Sequence, residues 1–240
     1  MVNILISGYY GFDNIGDESI LRTLVSSLRE HIPDCSLTVL SHNPASTREK
    51  YGVEAVDRMS PMAILRAVKK CDMLISGGGS LLQDVTSSKS LHYYLSIIRC
   101  AEFFRKKVFI YSQGIGPIDR PGNRRAAAAA LKKADGIVVR DERSAALLEE
   151  IGIARDRVVI TADPVIRMKK PDGDVGAEIL RKAGVSLDGR LTVGWAIRER
   201  DTDSRFVKEL LRSIQMMKDK YNAQSVLIPF HYEEDGEVCR

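Results

Sequence analysis

Polar and acidic side chains are interleaved with glycines in the segment Ser7–Glu18, which reads SGYYGFDNIGDE. Glycine lets the backbone approach a ligand closely, and carboxylates can accept protons from its hydroxyl groups. Asp17 and Glu18 stand at the predicted start of a helix, where their charges would repel a phosphate. We therefore expect this segment to receive an uncharged, hydroxyl-rich group, the alternative being a tight turn with Asp17 as helix cap. The candidates are Asp13 and Asp17 for proton transfer and Gly8, Tyr10, Gly11, Asn14 and Gly16 for binding.

Two further glycine clusters follow predicted strands. The segment SGGGS at residues 76–80 exposes consecutive backbone N–H groups that could hold an anion, and the next acidic residue is Asp84. The segment SQGIGP at residues 112–117 leads toward a basic stretch. The alternative for the first cluster is a flexible hinge, although glycine has an entropic cost that a simple connection does not require. The candidate binding residues are Gly77, Gly78, Gly79, Gln113, Gly114 and Gly116.

Arg140 ends another predicted strand and precedes Asp141, which is well placed to cap the next helix. At that position the guanidinium could bind a carboxylate or phosphate through two parallel hydrogen bonds. A structural Arg–Asp pair is the alternative. Asp163, in an Asp–Pro pair after the following strand, fits either a binding role or a simple chain reversal.

Short apolar runs alternate with helix-period segments through residues 1–165. The predicted strands are Asn3–Ser7, Leu37–Ser41, Met73–Ser76, Val108–Ser112, Gly136–Arg140 and Val158–Thr161. The helices predicted between them are Asp17–His31, Met62–Lys70, Leu91–Phe104, Asn123–Lys133 and Glu142–Ile151. This alternation is typical of a doubly wound α/β domain with a parallel, Rossmann-like sheet. Ligands bind at the carboxyl edge of such a sheet, so the glycine-rich segments should meet there.

The pattern changes after Asp163. Residues 166–190 are polar, with a proline and several glycines, and we interpret them as a linker. Residues 191–240 repeat a strand–helix–strand pattern, which predicts the start of a second Rossmann-like domain. Fifty residues are fewer than such a domain usually needs, so we expect an incomplete second domain whose uncovered apolar edges favour self-association.

Composition excludes several classes of protein. The chain has 240 residues, of which 44% are hydrophobic, and a net charge of +4, too small to imply a nucleic-acid partner. The four cysteines form no CxxC pair, which argues against a metal site or a disulfide framework and indicates a cytoplasmic protein. Between residues 120 and 200 there are 17 Lys and Arg against 12 Asp and Glu. This bias favours an anionic small ligand or an anionic lipid headgroup, and so leaves peripheral membrane contact open.

Five motifs in order resemble the polysaccharide pyruvyl transferase family, and its bacterial cell-wall branch in particular. They are SGYYGFDNIGDESIL at 7–21, SGGGSLLQD at 76–84, SQGIGP at 112–117, VVRDERSAALLEEIG at 138–152 and ADP at 162–164. The resemblance covers about the first 165 residues in register and continues more weakly through WAIR and IPFH.

The resemblance implies a glycosyltransferase-B-like fold with the active site between two domains. It also implies transfer of an enolpyruvyl unit from phosphoenolpyruvate onto two hydroxyls of a sugar, typically N-acetylmannosamine in a lipid-linked or wall polysaccharide. The product is a ketal, phosphate is released, and no metal or organic cofactor is needed. With a lipid-linked acceptor, the protein would work at the inner face of the membrane.

The family also carries a later motif with basic residues and a histidine, which His231 does not match. The sequence therefore leaves open whether this shortened chain is active. Two alternatives remain: a nucleotide-sugar glycosyltransferase and a non-catalytic carbohydrate-binding remnant.

Overall fold

The computed structural model describes residues 1–85, 87–170, 173–197, 204–230, 235, 236 and 239. The strands are β1 Val2–Tyr10, β2 Cys35–Ser41, β3 Glu54–Asp57, β4 Met73–Gly77, β5 Lys107–Gln113, β6 Gly136–Val139, β7 Val158–Ile160, β8 Thr192–Ile197 and β9 Gln224–Pro229. The helices are α1 Ile15–His31, α2 Pro44–Tyr51, α3 Pro61–Lys70, α4 Ser88–Phe103, α5 Pro121–Leu131, α6 Glu142–Glu150, α7 Gly173–Lys182 and α8 Ser204–Tyr221.

The first seven strands form one parallel sheet in the order β3-β2-β1-β4-β5-β6-β7. The predicted doubly wound α/β fold is therefore confirmed. The strand order reverses between β1 and β4, and in this class of sheet the crevice beside that reversal is where ligands bind. The loops that follow β1 and β4 flank it, and both are among the glycine-rich segments singled out from the sequence.

Apolar packing on both faces explains why the central strands are continuous apolar runs. In β1, Leu5 belongs to one buried cluster while its neighbours Ile4 and Ile6 belong to another. Successive side chains of a strand point to opposite faces, so the two clusters lie on opposite sides of the sheet. In β4, Leu74 and Ile75 divide between the clusters in the same way. Each central strand is thus covered by helices on both sides, as a parallel sheet requires.

Two elements of the first unit are missing from the sequence-based prediction: helix α2 and strand β3. Helix α2 buries only Thr47 and Tyr51, so it lacks the apolar periodicity that reveals an amphipathic helix. Its local signals are clear in retrospect. Asn43 caps the helix, Pro44 occupies its first turn, and Gly52 ends it in the left-handed conformation. Strand β3 extends the sheet beyond β2 and brings the residues that follow it to the carboxyl edge.

The chain divides into two compact units, Met1–Met168 and Lys169–Arg240. In the second unit, β8 and β9 pair in parallel and α8 lies between them in sequence. Within the predicted linker, residues 166–190, the segment Gly173–Lys182 forms helix α7. Val175 and Ile179 recur at the helical spacing there, but the preceding proline and glycine masked that signal. Within the residues described, no helix has the length and apolar character needed to cross a membrane.

A buried carboxylate anchors the start of α5. Asp84 is 7% exposed. It accepts hydrogen bonds from the backbone N–H groups of Asp119 (2.9 Å) and Arg120 (3.1 Å) and from Asn123 Nδ2 (2.7 Å). Burial acts to raise the pKa of Asp84, but these donors and the Arg120 charge outweigh it and hold the pKa below its usual value.

Replacing this carboxylate should destabilise the fold in a pH-dependent way. Asp84→Asn loses charge-assisted hydrogen bonds, and we expect it to lower the free energy of unfolding by about 1–3 kcal/mol at pH 7. The folded-state pKa lies below the unfolded one, so the wild-type advantage is present above the unfolded pKa, roughly 3.9, and is lost as the pH falls through the folded pKa. Urea denaturation of both proteins across that range measures the difference. An advantage that stayed constant with pH would contradict this account.

Candidate active site at the carboxyl edge of the sheet

Strand β1 continues past its predicted end, which changes the expected role of Tyr10. The strand runs to Tyr10 instead of ending at Ser7, so Gly8 and Tyr10 lie on a strand. Tyr10 is 1% exposed, and its hydroxyl donates to the carbonyl oxygen of Gly77 at 2.8 Å. Burial, reinforced by the Asp17 charge, raises the pKa of Tyr10 well above its usual value. The structure therefore places Tyr10 as a support between β1 and β4, and not on a surface that a ligand could reach.

The cap of helix α1 is Asn14, and not Asp17. Asn14 Oδ1 accepts from the backbone N–H groups of Gly16 (3.1 Å) and Asp17 (3.3 Å). Glu18 also serves the loop, because its Oε1 accepts from Gly11 N at 2.8 Å and its Oε2 accepts from the Tyr51 hydroxyl. Side-chain oxygens of this segment thus accept from three of its own backbone N–H groups, those of Gly11, Gly16 and Asp17.

Asp13 lies on the opposite side of β1 from Arg140. Its carboxylate forms an ion pair with Lys50 of α2 at 2.5 Å. Helix α2 follows β2, on one side of β1, whereas Arg140 follows β6 on the other side. The described contacts therefore do not bring Asp13 and Arg140 together.

Asp17 lies against the glycine cluster that follows β4. A Cβ atom on Gly79 would fall 2.7 Å from Asp17 Oδ1, and the φ angle of Gly79 is +65°. At Gly78, also with positive φ, a Cβ would fall 2.1 Å from Ile20 of α1. Only glycine fits at both positions, and its use lets the start of α1 pack onto this loop. The Asp17 carboxylate consequently lies at the reversal point of the sheet.

The loops after β4 and β5 are joined to each other and to Arg140. Gly114 N donates to the carbonyl oxygen of Gly79 at 2.9 Å. A Cβ on Gly114 would fall 2.8 Å from Ser80 Oγ and 2.9 Å from Arg140 Nε. The guanidinium therefore lies directly over the backbone of Gly114.

The Arg140 guanidinium is fixed by groups from neighbouring strand ends. Its Nη1 donates to Asp163 Oδ2 at 3.0 Å, its Nη2 donates to Ser80 Oγ at 2.9 Å, and its Nε lies 3.7 Å from Asp141 Oδ2. Ser80 follows β4, Arg140 and Asp141 follow β6, and Asp163 follows β7. The side chain remains 31% exposed. The Arg–Asp pair that was the alternative to a binding role is therefore present, and it leaves part of the cation open to solvent.

Asp141 caps α6, as its position in the sequence predicts. Its Oδ1 accepts from the backbone N–H (2.8 Å) and the hydroxyl (2.7 Å) of Ser144. Partial burial acts to raise the pKa of Asp141, but these hydrogen bonds and the Arg140 charge lower it below its usual value. A negative charge is thus maintained beside Arg140 at neutral pH.

Gln113 is buried and faces the interior. It is 0% exposed, and its Nε2 donates to the carbonyl oxygen (2.7 Å) and the hydroxyl (2.9 Å) of Ser76 on β4. Its Oε1 has no hydrogen-bond partner among the described atoms. The structure thus places Gln113 as a link between β4 and β5, not as a group on the accessible edge.

A cavity of about 410 Å³ opens beside Gly114 and Arg140. Its lining includes three arginines, which are Arg140, Arg124 of α5 and Arg143 of α6. It also includes three carboxylates: Asp119, Asp141 and Glu150. Arg124 is paired with Glu150 at 3.2 Å, whereas Arg143 has no ion pair with any residue that the structure describes. The sequence analysis did not select Arg143 or Ser80 as candidates. Arg143 was passed over because an arginine at the start of a helix usually lies on a solvated face. The one available signal was the position of Arg143 in the helix that follows Arg140.

Residues 14–240 match the family model for polysaccharide pyruvyl transferases. The chain belongs to this family. A curated relative is the amylovoran biosynthesis protein AmsJ of Erwinia amylovora, which is 23% identical over 239 residues. That match covers 82% of this chain and 57% of AmsJ, so the chain spans just over half the length of that relative.

Two solved structures with similar folds are compared with this chain. One comes from Listeria monocytogenes and carries the provisional description UDP-N-acetylglucosamine 2-epimerase. It superimposes with a TM-score of 0.61 at 11% sequence identity, and the match covers 94% of this chain and 62% of that protein. The other is Anabaena Alr3699/HepE, solved in complex with UDP-glucose. It has a TM-score of 0.57 at 11% sequence identity, and the match covers 95% of this chain and 69% of that protein. At this identity the likeness shows the fold alone, which is glycosyltransferase-B-like.

The structure thus brings some candidates together and separates others. Asp17 meets Gly79, and Gly114 meets Arg140 and Asp163 through a shared set of contacts. The remaining candidate glycines have packing roles. At three of them an added Cβ would clash with a side chain: at Gly8 with Tyr10, at Gly11 with Ser41 and at Gly116 with Leu147. At the other two the added Cβ would be in close contact, 3.3 Å from Asn14 at Gly16 and 3.2 Å from Leu24 at Gly77. His231 lies outside the described residues.

The contact between Asp17 and Gly79 can be tested by a double-mutant cycle. Gly79→Ala places a Cβ on a left-handed residue against the carboxylate, and we expect it to cost about 1–2 kcal/mol from the backbone alone, with the clash in addition. In an Asp17→Ala background the clash disappears, so the same change should cost less, by roughly 0.5 kcal/mol or more. Chemical denaturation measures all four proteins. Gly52→Ala is the matched control, because Gly52 also has a positive φ of +62° and its added Cβ would make only an ordinary contact, 3.6 Å from Arg29 Nη2. Equal costs of Gly79→Ala in both backgrounds would contradict the contact.

Proposed function

We propose that this chain carries the catalytic edge of an enzyme that transfers a pyruvyl group from phosphoenolpyruvate onto two hydroxyls of a sugar. Family membership supports a role in polysaccharide modification. One structural observation supports the assignment of a pyruvyl donor and a sugar acceptor. A cation, Arg140 over Gly114, and a carboxylate, Asp17 over Gly79, lie on two glycine loops that are hydrogen-bonded to each other. An acidic donor and a hydroxyl-bearing acceptor need these two charges side by side.

The proposed reaction needs one proton donor and one proton acceptor. Protonation of the methylene carbon of phosphoenolpyruvate forms a methyl group and leaves an oxocarbenium-like carbon. The first sugar hydroxyl adds to that carbon and loses its proton. The second hydroxyl then forms the other C–O bond while the C–O bond to phosphate breaks, and its proton balances the departing phosphate. The products are a cyclic ketal on the sugar and inorganic phosphate.

Arg140 is assigned to the negative charges of the donor. Its guanidinium is held in place by Asp163 and Ser80 and remains partly exposed beside the 410 Å³ cavity. A cation fixed before the reaction stabilises the developing charge on the phosphate without reorganisation. Arg143, which also lines the cavity, adds a second positive charge. The size of the cavity lies within the range of about 300–1,000 Å³ that is usual for small-molecule sites.

Asp17 is assigned to the acceptor hydroxyls. Its position over Gly79 places a carboxylate next to the loop that contacts Gly114, and a carboxylate can take the proton that a hydroxyl releases. We propose a sugar of a lipid-linked or wall polysaccharide as acceptor, N-acetylmannosamine in particular. Asp13 and Asn14 would border this acceptor from the far side of the loop, where their present partners are Lys50 and the start of α1.

Removing the cation should weaken donor binding and lower the rate of turnover. We expect Arg140→Ala to weaken phosphoenolpyruvate binding by about 10- to 100-fold, since a charge-assisted hydrogen bond contributes roughly 1.5–3 kcal/mol. Calorimetry with phosphoenolpyruvate measures binding, and release of inorganic phosphate in the presence of a lipid-linked N-acetylmannosamine acceptor measures turnover. Arg125→Ala is the matched control, because Arg125 lies on the exposed side of α5 and does not line this cavity.

Three outcomes would count against the assignment. Wild-type rates in Arg140→Ala would reject the role of the guanidinium, and an equal loss in Arg125→Ala would reduce it to a general charge effect. Binding of a nucleotide sugar, with neither phosphoenolpyruvate binding nor phosphate release, would favour the glycosyltransferase alternative.

A further inference from the structure

Arg58 is a buried cation at the carboxyl edge of the sheet, directly after β3. The residue is 7% exposed. Its Nη1 donates to the carbonyl oxygen of Gly8 at 3.1 Å, and its Nη2 donates to the Tyr94 hydroxyl at 3.2 Å. Its own carbonyl oxygen accepts from the Tyr93 hydroxyl at 2.9 Å. Arg58 therefore connects the end of strand β1, within the first glycine-rich segment, with helix α4.

Aromatic rings surround this charge. The guanidinium carbon lies 4.7 Å from the ring centre of Tyr93, 5.1 Å from Phe12, 5.5 Å from Tyr94 and 5.7 Å from Tyr9. Across the described part of the chain, no carboxylate forms an ion pair with Arg58, and its buried Nε has no hydrogen-bond partner. Arginine is almost never buried without a paired charge, because the cation loses its hydration. The rings compensate in part, and a net positive charge remains.

An apolar cavity of about 500 Å³ shares Arg58 as part of its wall. It lies between α3 and α4 and has mainly aliphatic, aromatic and sulfur-containing walls. Its lining includes Met59, Pro61, Ile64, Leu65, Tyr93 and Ile97. In such low-dielectric surroundings the charge of Arg58 acts over a longer distance than it would in water. The cavity therefore combines apolar walls with attraction for a negative group.

We propose that this cavity binds the apolar chain of a lipid phosphate, with the phosphate drawn toward Arg58. A long apolar chain satisfies the walls, and the phosphate supplies the negative charge that Arg58 lacks. The choice of a lipid phosphate as occupant rests on the proposed function, because a sugar acceptor joined to a lipid phosphate would extend from Arg58 along the segment it contacts. That segment carries Tyr9, near the end of β1, and Phe12 in the following loop, and it leads to Asp17 at the start of α1.

Binding of simple amphiphiles tests the site without any enzymatic turnover. Dodecyl phosphate, dodecanol, dodecanoate and inorganic phosphate are titrated into the full chain by calorimetry. Dodecyl phosphate should bind, inorganic phosphate should not displace it, and dodecanol should bind more weakly. Arg58→Met keeps a side chain among the rings but removes the charge, so it should weaken dodecyl phosphate binding by about tenfold or more and leave dodecanol binding unchanged.

Two further variants separate the cavity from general effects. Ile64→Trp fills the cavity and should weaken dodecyl phosphate and dodecanol alike, so the site remains testable if Arg58→Met does not fold. Arg66→Met removes one exposed charge from the same region, at a residue that does not line the cavity, and should leave binding unchanged. Thermal unfolding checks that each variant is folded.

The proposal is overturned if dodecyl phosphate does not bind, if Ile64→Trp binds it as the wild type does, or if Arg66→Met weakens binding as much as Arg58→Met. Equal binding of dodecanoate would reassign the cavity to fatty acids, and displacement by inorganic phosphate would reduce it to an anion site. The proposed reaction is tested separately by phosphoenolpyruvate binding to the wild type. The experiments can therefore contradict the lipid site while supporting the proposed reaction, or contradict the reaction while supporting the lipid site.

Discussion

The close approach of three backbone segments at the reversal point of the sheet is the constraint on which the candidate site depends. Helix α1 can start against the loop after β4 only because Gly78 and Gly79 have no Cβ atoms in its path, and Arg140 can lie over Gly114 for the same reason. The Gly114–Gly79 hydrogen bond then fixes the two loops relative to each other. A larger residue at either loop would separate the carboxylate of Asp17 from the guanidinium of Arg140, and with them the two halves of the proposed chemistry.

Two arginines at this edge are stabilised in different ways, and the difference bears on what each can bind. Arg140 has Asp163 and Asp141 as neighbours and is partly exposed, so its orientation is fixed while part of its surface can meet a ligand. Arg58 is buried among aromatic rings and is paired with no carboxylate of the described residues. Cation–π contacts offset part of the cost of burial but do not cancel the charge. The first arrangement suits a small acidic donor, and the second suits an anion that brings its own apolar surroundings.

The chain divides into two compact units, and the two solved structures compared with it are longer than this chain. The residues that carry the proposed chemistry all belong to the first unit, Met1–Met168. This unit has its own buried clusters on both faces of its sheet, so the positions of Asp17 and Arg140 follow from its packing alone.

The sequence by itself determined the fold class, the family resemblance and the segments that form the site. These features depend on residues that are close together in the chain, such as the apolar run Ile4–Ile6 and the glycines that follow strands. Their pattern can therefore be recognised from the sequence alone. It did not determine which way side chains at strand ends point. Tyr10 and Gln113 look like edge residues in the sequence, yet both are buried because β1 and β5 continue through them.

Tertiary structure alone decided which loops meet. Three contacts join residues that are distant in the chain. They are the hydrogen bond between Gly114 and Gly79, the ion pair of Asp13 with Lys50 and the packing of aromatic rings around Arg58. Their proximity follows from the strand order β3-β2-β1-β4-β5-β6-β7, and alternating strands and helices are compatible with many orders. Local periodicity records which face of an element is buried, but only the packed sheet determines which neighbour covers it.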